Sequence, residues 1–450
     1  MSHKHIVILG NGISGITCAR HLRKLDDDLR ITVISGESKY FFSRTALMYV
    51  AMGHMEFEHT QPYENWFWEK NRIELLQEWV DRVDFSQKTL EFQSGGKSSY
   101  DQLILATGSK PNKFGWPGQD LEGVQGLYSK QDLEKFEENT SPSVQRAVIV
   151  GGGLIGIELA EMLVYKKIPV TFLVRENGFW DNVLPKEESE LVGRHIVEHH
   201  IDLKLQTELK EILPDEKGRV KAVITSKGEE IPCQFVGLTA GVSPNVDFLK
   251  DSSLEIKRGI LVNEFFETNI PDVFAIGDCV EFQKAPGPDR KTIEQVWYTG
   301  RMHGETLAYS LVKEKTAYRP GVWFNSAKFL DIEYQTYGSV PPTWNQEEYK
   351  SFYWEHANGK VCFRILMNSE SRILGVNIFG FRLRHEFFDQ AIREGWQGEK
   401  VIANLDKADF NPEFYAPYYL EIQKAFLKDF GGSFKPGKKS LIQKLFGAKA

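Results

Sequence analysis

Two glycine turns hold the clearest chemistry in this sequence. Residues 5–20 read HIVILGNGISGITCAR: an apolar run, then Gly10, Gly12 and Gly15 in G-x-G-x-x-G spacing, then a helical pattern through Leu22 and Leu25. A strand that turns sharply into a helix, with its backbone against a pyrophosphate, needs glycine at the turn and at the approach. The helix N-terminus then offers free N–H groups and a favourable dipole. Residues 147–164, AVIVGGGLIGIELAEMLV, repeat the pattern with Gly151, Gly153 and Gly156. A single glycine turn of this kind arises by accident; two, about 140 residues apart and each between a strand and a helix, predict two dinucleotide sites.

The elements around the turns supply the next groups. After the first helix, RITVISGES reads as a strand that delivers Glu37, an acid for ribose hydroxyls, with Ser35 close enough to share or replace that role. After the second, PVTFLV ends in Val174, Arg175 and Glu176. Alternating strand and helix patterns around both turns call for parallel sheets with helices on their faces. Further on, VWFNSAKFLDIEYQTYGSV, KSFYWEH, KVCFRILMN and RILGVNIFGF read as successive strands, followed by helices from about Arg384 to Asp429. The fold class is therefore α/β, with two Rossmann-like domains and a C-terminal α+β domain.

Bulk properties narrow the function. At 450 residues the chain has room for two or three domains. A net charge of −7 and the lack of a basic, aromatic-interleaved module argue against nucleic-acid binding. MSHKH runs straight into IVILG with no signal-peptide pattern, and no window has the ~20 apolar residues of a membrane span, so a cytoplasmic protein is expected. Cys18, Cys233, Cys279 and Cys362 lie far apart without C-x-x-C spacing, which suggests neither disulfides nor a metal framework. The tail GGSFKPGKKSLIQKLFGAKA, residues 431–450, carries five lysines and an amphipathic set, Leu441, Ile442, Leu445 and Phe446. It reads as a loosely packed terminus, with contact to a membrane surface or an acidic partner as the alternative.

Three further stretches complete an ordered set: YDQLILATGSKPN (100–112), GLTAGVSPN (237–245) and IPDVFAIGDCVEF (270–282). With the two turns, they make residues 1–300 resemble the two-dinucleotide-binding flavoproteins of the pyridine-nucleotide-dependent oxidoreductases. The resemblance implies FAD on the first turn and NADH or NADPH on the second. It places the FAD site at Gly10, Gly12, Gly15, Ser35, Glu37, Arg44, Val80, Ala106, Thr107, Gly108, Gly277 and Asp278, with Asp278 holding the ribityl chain. TIEQVWYTGRMHGETLA (292–308) resembles the helix that brings N–H groups at Gln295, Val296 and Trp297 to the flavin pyrimidine, and Trp323 and Phe324 resemble aromatics beside the isoalloxazine. The nicotinamide site would take Gly151, Gly153, Gly156, Glu158, Arg175, Glu176 and Gly241. There Glu158 orients the nicotinamide or is an ordinary helix glutamate; Arg175 suits a 2′-phosphate and leans towards NADPH, while Glu176 keeps NADH open. The layout expected is an FAD domain at 1–112 and 244–320, an inserted NAD(P)H domain at 113–243, a cap or interface domain at 321–430 and a basic tail at 431–450.

YFFSRTALM (40–48) decides between branches. Relatives that reduce disulfides or peroxide keep a cysteine here; this chain has Ser43 and Arg44. A thiolate relay needs sulfur beside the flavin, which arginine cannot supply. The stretch resembles the cysteine-free NAD(P)H:rubredoxin, ferredoxin and nitrite-reductase-type flavin reductases, although Thr45, Met48 and Tyr49 depart from that branch. This implies an FAD-dependent NAD(P)H oxidoreductase, with Glu158 and Arg44 as catalytic candidates, that hands electrons to a small iron–sulfur protein. Alternatives are an NAD(P)H oxidase or quinone reductase at a membrane surface, an apoptosis-inducing-factor-like redox-sensing interaction protein, and a disulfide reductase using Cys18 or Cys279. The oligomer is left open between monomer and homodimer. His195 and His199, in H-x-x-E-H spacing, match a zinc-protease pattern. With no third ligand in sight they read as a solvated helix face, and no metal is expected.

Overall fold

The computed structural model describes residues 4–140, 143–288, 290–410 and 417–436. The amphipathic part of the tail lies outside them. The chain forms two compact units: 1–151, 159–171 and 208–321 in the first, and 152–158, 172–207 and 322–450 in the second. The division cuts the second glycine turn just after Gly151. Among the described residues, no helix is long and apolar enough to cross a membrane.

The first unit is built on a five-stranded parallel sheet. Its central strand β1 (His5–Leu9) is buried at every residue, as a strand covered on both faces must be. On one side lies β2 (Arg30–Ile34), paired Val7 to Thr32, and beyond it Ile73–Leu76. On the other side lie Gln102–Leu105 and then Val273–Ala275. Strand order reverses at β1, so a crevice opens at its C-terminal end, where this fold class binds ligands. Helix α1 (Ile13–Leu25) covers one face through Ile16, Ala19 and Leu22, and the helix Trp297–Val312 packs on α1. Gly304 makes that packing close: a Cβ there would sit 2.5 Å from the Ser14 carbonyl oxygen. At the far end of α1, the buried Arg23 guanidinium donates to the carbonyls of Asp27, Leu29, Asn71 and Arg72, pinning the helix to the strands it precedes. A second parallel set in this unit joins Val124–Gln125, Phe235–Leu238 and Ala147–Val150.

In the second unit, five antiparallel strands run in the order Phe324–Phe329, Ile332–Gly338, Ile373–Phe379, Cys362–Asn368 and Tyr349–Glu355. The helices His385–Arg393, Gly398–Ala403 and Tyr419–Phe430 pack on them around Phe352, Phe363, Phe388 and Phe426. The helix Lys186–Glu198 is anchored to the same sheet by Arg364. That guanidinium is almost fully buried and holds Glu188 and Glu187 at 2.7 Å each, and Asn377 adds a weaker bond to Glu188.

Candidate functional site

The first glycine turn divides its tasks by position. Gly10 has φ +116°, and a Cβ on it would lie 2.1 Å from the Ala106 carbonyl oxygen, so only glycine closes this strand end. A Cβ on Gly15 would lie 2.1 Å from the Gly10 carbonyl oxygen, so Gly15 sets how closely helix and strand approach. Among the described residues, Gly12 faces nothing within 4 Å. It caps α1 in an extended conformation, leaving space beside the first helical N–H groups that a pyrophosphate would fill.

Around this opening the first unit gathers a set of polar groups. Glu37 follows β2, as the sequence suggests, and its carboxylate receives both arms of the Arg44 guanidinium at 2.7 and 2.8 Å and the backbone N–H of Lys130 at 2.9 Å. Arg44 also lies over the rings of Tyr128 and Phe42. Ser35 is buried, with its backbone paired to Leu76 and Glu78. Val80 begins a strand that pairs with Phe92, and it packs on the core of this unit.

Asp278 lies deeper, with Gly277 at φ +79° directly before it. A Cβ on Gly277 would meet the Ser14 side chain at 2.4 Å, so the loop rests on the first turn of α1. Burial pushes the Asp278 carboxyl up to about 6, against the lowering pull of Ser109, Arg44 and Tyr128. Ser109 donates to it at 3.3 Å and accepts from Gln295 at 2.6 Å, while the Ser109 N–H bonds the Tyr128 hydroxyl. Ala106 extends the strand Gln102–Leu105, its N–H donating to the Leu9 carbonyl at the end of β1. Thr107 and Gly108 are fastened to Asn245. Val296 caps the helix that starts at Trp297.

Ser109, Tyr128, Asn245 and His303 take part without having been named from sequence. The His303 ring is buried and accepts the Gly277 N–H at Nδ1, which fixes that tight turn. Burial holds the imidazole down at about 3, so it is neutral and serves as an acceptor. The helical spacing of TIEQVWYTGRMHGETLA points His303 to the face it shares with Thr299, which is the one signal sequence held for it.

At the second turn, Gly151 in the first unit repeats φ +116°, with its virtual Cβ 2.7 Å from the Thr239 carbonyl oxygen. Gly241 has φ +85°, and its carbonyl accepts the Asn112 N–H. In the second unit, Gly153, like Gly12, faces nothing within 4 Å among the described residues. Gly156 is buried and Glu158 half-buried on the helix Leu154–Tyr165. Arg175 donates to its neighbour Glu176 at 2.7 Å; the arginine side chain is 70% exposed and the glutamate 22%. Phe324 packs in the core of this unit against His385, and the Trp323 carbonyl receives the Gly338 N–H.

The sulfur chemistry is equally definite. All four cysteines are free and buried, and burial raises every thiol, Cys279 to about 11 and Cys233 to about 12. A thiolate nucleophile is strongly disfavoured at each. One expectation is corrected: the helix face carrying His195 is not solvated. That ring is 1% exposed, and Asp331 stands against it.

Comparison with known proteins accords with this geometry. A family model described as pyridine nucleotide-disulphide oxidoreductase matches residues 4–304. The NADH-rubredoxin oxidoreductase of Clostridium acetobutylicum is 32% identical over 64% of this chain and 71% of its own length. A nitrite reductase (NAD(P)H) of Bacillus subtilis is 28% identical over 62% of this chain, which spans only 35% of that longer protein. Among solved structures, an NAD-dependent persulfide reductase from A. fulgidus superposes with a TM-score of 0.80 at 24% identity, covering 94% of this chain and 83% of the other, a likeness of fold. With two Rossmann-type glycine turns, a Gly-Asp strand end and a family match over two thirds of its length, the chain belongs to the pyridine nucleotide-disulphide oxidoreductase family, whose cofactors are FAD and NAD(P)H.

Proposed function

We propose that this chain is an FAD-dependent NAD(P)H oxidoreductase that passes electrons to a small iron–sulfur protein of the ferredoxin or rubredoxin class, without a redox disulfide and in the cytoplasm. The observation that carries the reading is the pair of glycine turns, each open at its second glycine, in a chain whose four cysteines are all buried. FAD, when bound, links a two-electron hydride donor to one-electron acceptors.

The chain's own residues hold and orient. On this reading Gly10, Gly12 and Gly15 admit the FAD pyrophosphate, and Glu37, steered by Arg44, takes the adenosine ribose with Ser35 and Val80 nearby. Asp278 receives the ribityl hydroxyls, and a carboxylate raised by burial gains most from such donors. Ala106, Thr107, Gly108, Gly277 and Gln295 shape the pocket, and the N–H groups at Val296 and Trp297 offset negative charge on the ring. In the second unit, Gly153 and Gly156 admit the nicotinamide nucleotide, Glu158 orients it, and Arg175 or Glu176 reads its adenosine ribose.

Anaerobic mixing with NADH and with NADPH, followed by turnover with ferredoxin, rubredoxin, quinone and oxygen, tests this reading. Expected are bleaching of the flavin band and preferential reduction of the iron–sulfur proteins. Protein without FAD, or a flavin that neither nucleotide bleaches, sinks it. Faster turnover with oxygen or quinone replaces the iron–sulfur acceptor. A long-lived charge-transfer complex would indicate a redox-sensing role instead.

A further inference from the structure

We propose that His195, His199 and Asp331 form a binding site for a divalent transition cation of the zinc class, clipping the helix Lys186–Glu198 to the turn between the strands Phe329 ends and Ile332 begins. One ligand atom from each residue lies within 4.8 Å of the other two. The two histidines are four apart, so helical geometry stacks them on one face, and their ring centroids are 4.4 Å apart. Asp331 Oδ1 contacts His195 Nε2 and lies 3.4 Å from His199 Nε2.

The proton inventory favours a cation. His199 Nδ1 lies 3.0 Å from the His195 carbonyl oxygen, and a ring nitrogen can only donate to a carbonyl. In neutral His199 that leaves a bare lone pair on Nε2, aimed at a carboxylate oxygen. Among the described residues His195 Nδ1 is buried with no hydrogen-bond partner, and the Glu198 carboxylate is 3.6 Å away. If Nε2 of His195 carries the proton, its Nδ1 lone pair faces Glu198 unsatisfied. If Nδ1 carries it, a second Nε2 lone pair joins the first at Asp331. A cation at that point satisfies all three acceptors, and His199 then directs its Nδ1–H to the His195 carbonyl oxygen, the arrangement usual for imidazole ligands. Two imidazoles and a carboxylate suit zinc, with one position left for water.

The surroundings hold these groups ready. Arg364 grips Glu187 and Glu188 at the start of the helix, and Arg194 bonds Glu355 near its end. Lys360 lies 3.9 Å from Asp331 Oδ2, so it occupies the opposite oxygen and, being 42% exposed, can swing clear. A clip between residues 136 apart closes a long loop, the case in which a cross-link restrains the unfolded chain most.

The test uses tag-free, full-length protein stripped with chelator, then equilibrium dialysis against zinc chloride with elemental analysis, and a thermal midpoint with and without zinc. Expected are one zinc per chain and a midpoint that rises with zinc. His199→Ala and Asp331→Asn, both at partly exposed positions, should each weaken binding at least tenfold and abolish the zinc-dependent rise. Substoichiometric zinc overturns the assignment, as does full binding that both variants retain. A midpoint that follows pH through the histidine range but ignores zinc makes the occupant a proton and overturns it too.

Discussion

Arg44 forks onto Glu37, Nη1 to Oε1 at 2.8 Å and Nη2 to Oε2 at 2.7 Å, and the same Nη1 donates to the Tyr128 carbonyl at 2.5 Å. A planar, two-pronged contact fixes the orientation of the carboxylate as well as its charge. Arg44 is therefore a positioning residue for the acid that our reading assigns to the adenosine ribose. Arg44→Ala should raise the FAD dissociation constant roughly tenfold or more, about 1.4 kcal/mol. Arg44→Lys keeps the charge but not the fork and should recover only part of this. Flavin fluorescence titration checks both, and unchanged affinity in the alanine variant would mean that Arg44 acts elsewhere.

Asp278 gives a pH-dependent prediction. Burial pushes its carboxyl up to about 6 in the folded chain, above the ordinary value of 3.8. The folded state thus holds a proton that the unfolded state has lost over that interval. Stability from this group is complete below about pH 4 and lost as pH rises through about 6. The carboxylate then costs the cofactor-free fold on the order of 3 kcal/mol. Asp278→Asn should make FAD-free protein more stable than the parent at about pH 8, with the difference closing towards pH 4, while FAD affinity falls. Urea denaturation at both pH values measures it; equal curves at the higher pH would show that the carboxylate is not destabilised by its burial.

What could be read ahead of the structure follows how local each physical demand is. Gly10 and Gly151 are legible because positive φ and a carbonyl pressed against Cα leave one residue type possible, and the requirement lies within a few residues of chain. The strands of the second unit are legible from their apolar runs and turns. Tyr128 and Ser109 are not, since a tyrosine and a serine have many uses and only folding brings them to Asp278. Asp331 is the sharpest case. H-x-x-E-H is visible at once, but the carboxylate that changes its meaning is 136 residues from His195. The division of the chain just after Gly151 is likewise a property of packing that no local pattern carries.

The cysteines permit a plain test of the thiol-free reading. Cys18 and Cys279 are fully buried, and burial raises both thiols, Cys279 to about 11. The native protein should resist a thiol-alkylating reagent and become labelled after denaturation. Cys18→Ala and Cys279→Ala should keep NAD(P)H-driven flavin reduction within about threefold of the parent, with stability lowered by roughly 1 kcal/mol through lost packing. Turnover that collapses in either variant, with flavin content and fold intact, would bring the disulfide-reductase reading back.

Within each glycine turn, fold and ligand binding can be separated. Gly10→Ala places a Cβ 2.1 Å from the Ala106 carbonyl oxygen at φ +116°, and neither the backbone of β1 nor that of the neighbouring strand can give way cheaply. It should destabilise the protein by roughly 3 kcal/mol or prevent folding. Gly12→Ala meets nothing within 4 Å, so the thermal midpoint of the cofactor-free protein should hardly move. A methyl group at that position instead occupies the space proposed for the pyrophosphate, and FAD affinity should fall at least tenfold. Gly153, open in the same way, should give the complementary result on substitution with alanine: FAD retained, fold retained, and a raised KM for NADH and NADPH. Thermal unfolding, flavin content and steady-state kinetics on the three variants check the set. If Gly12→Ala and Gly153→Ala exchanged phenotypes, the assignment of FAD to the first turn and nicotinamide to the second would be reversed.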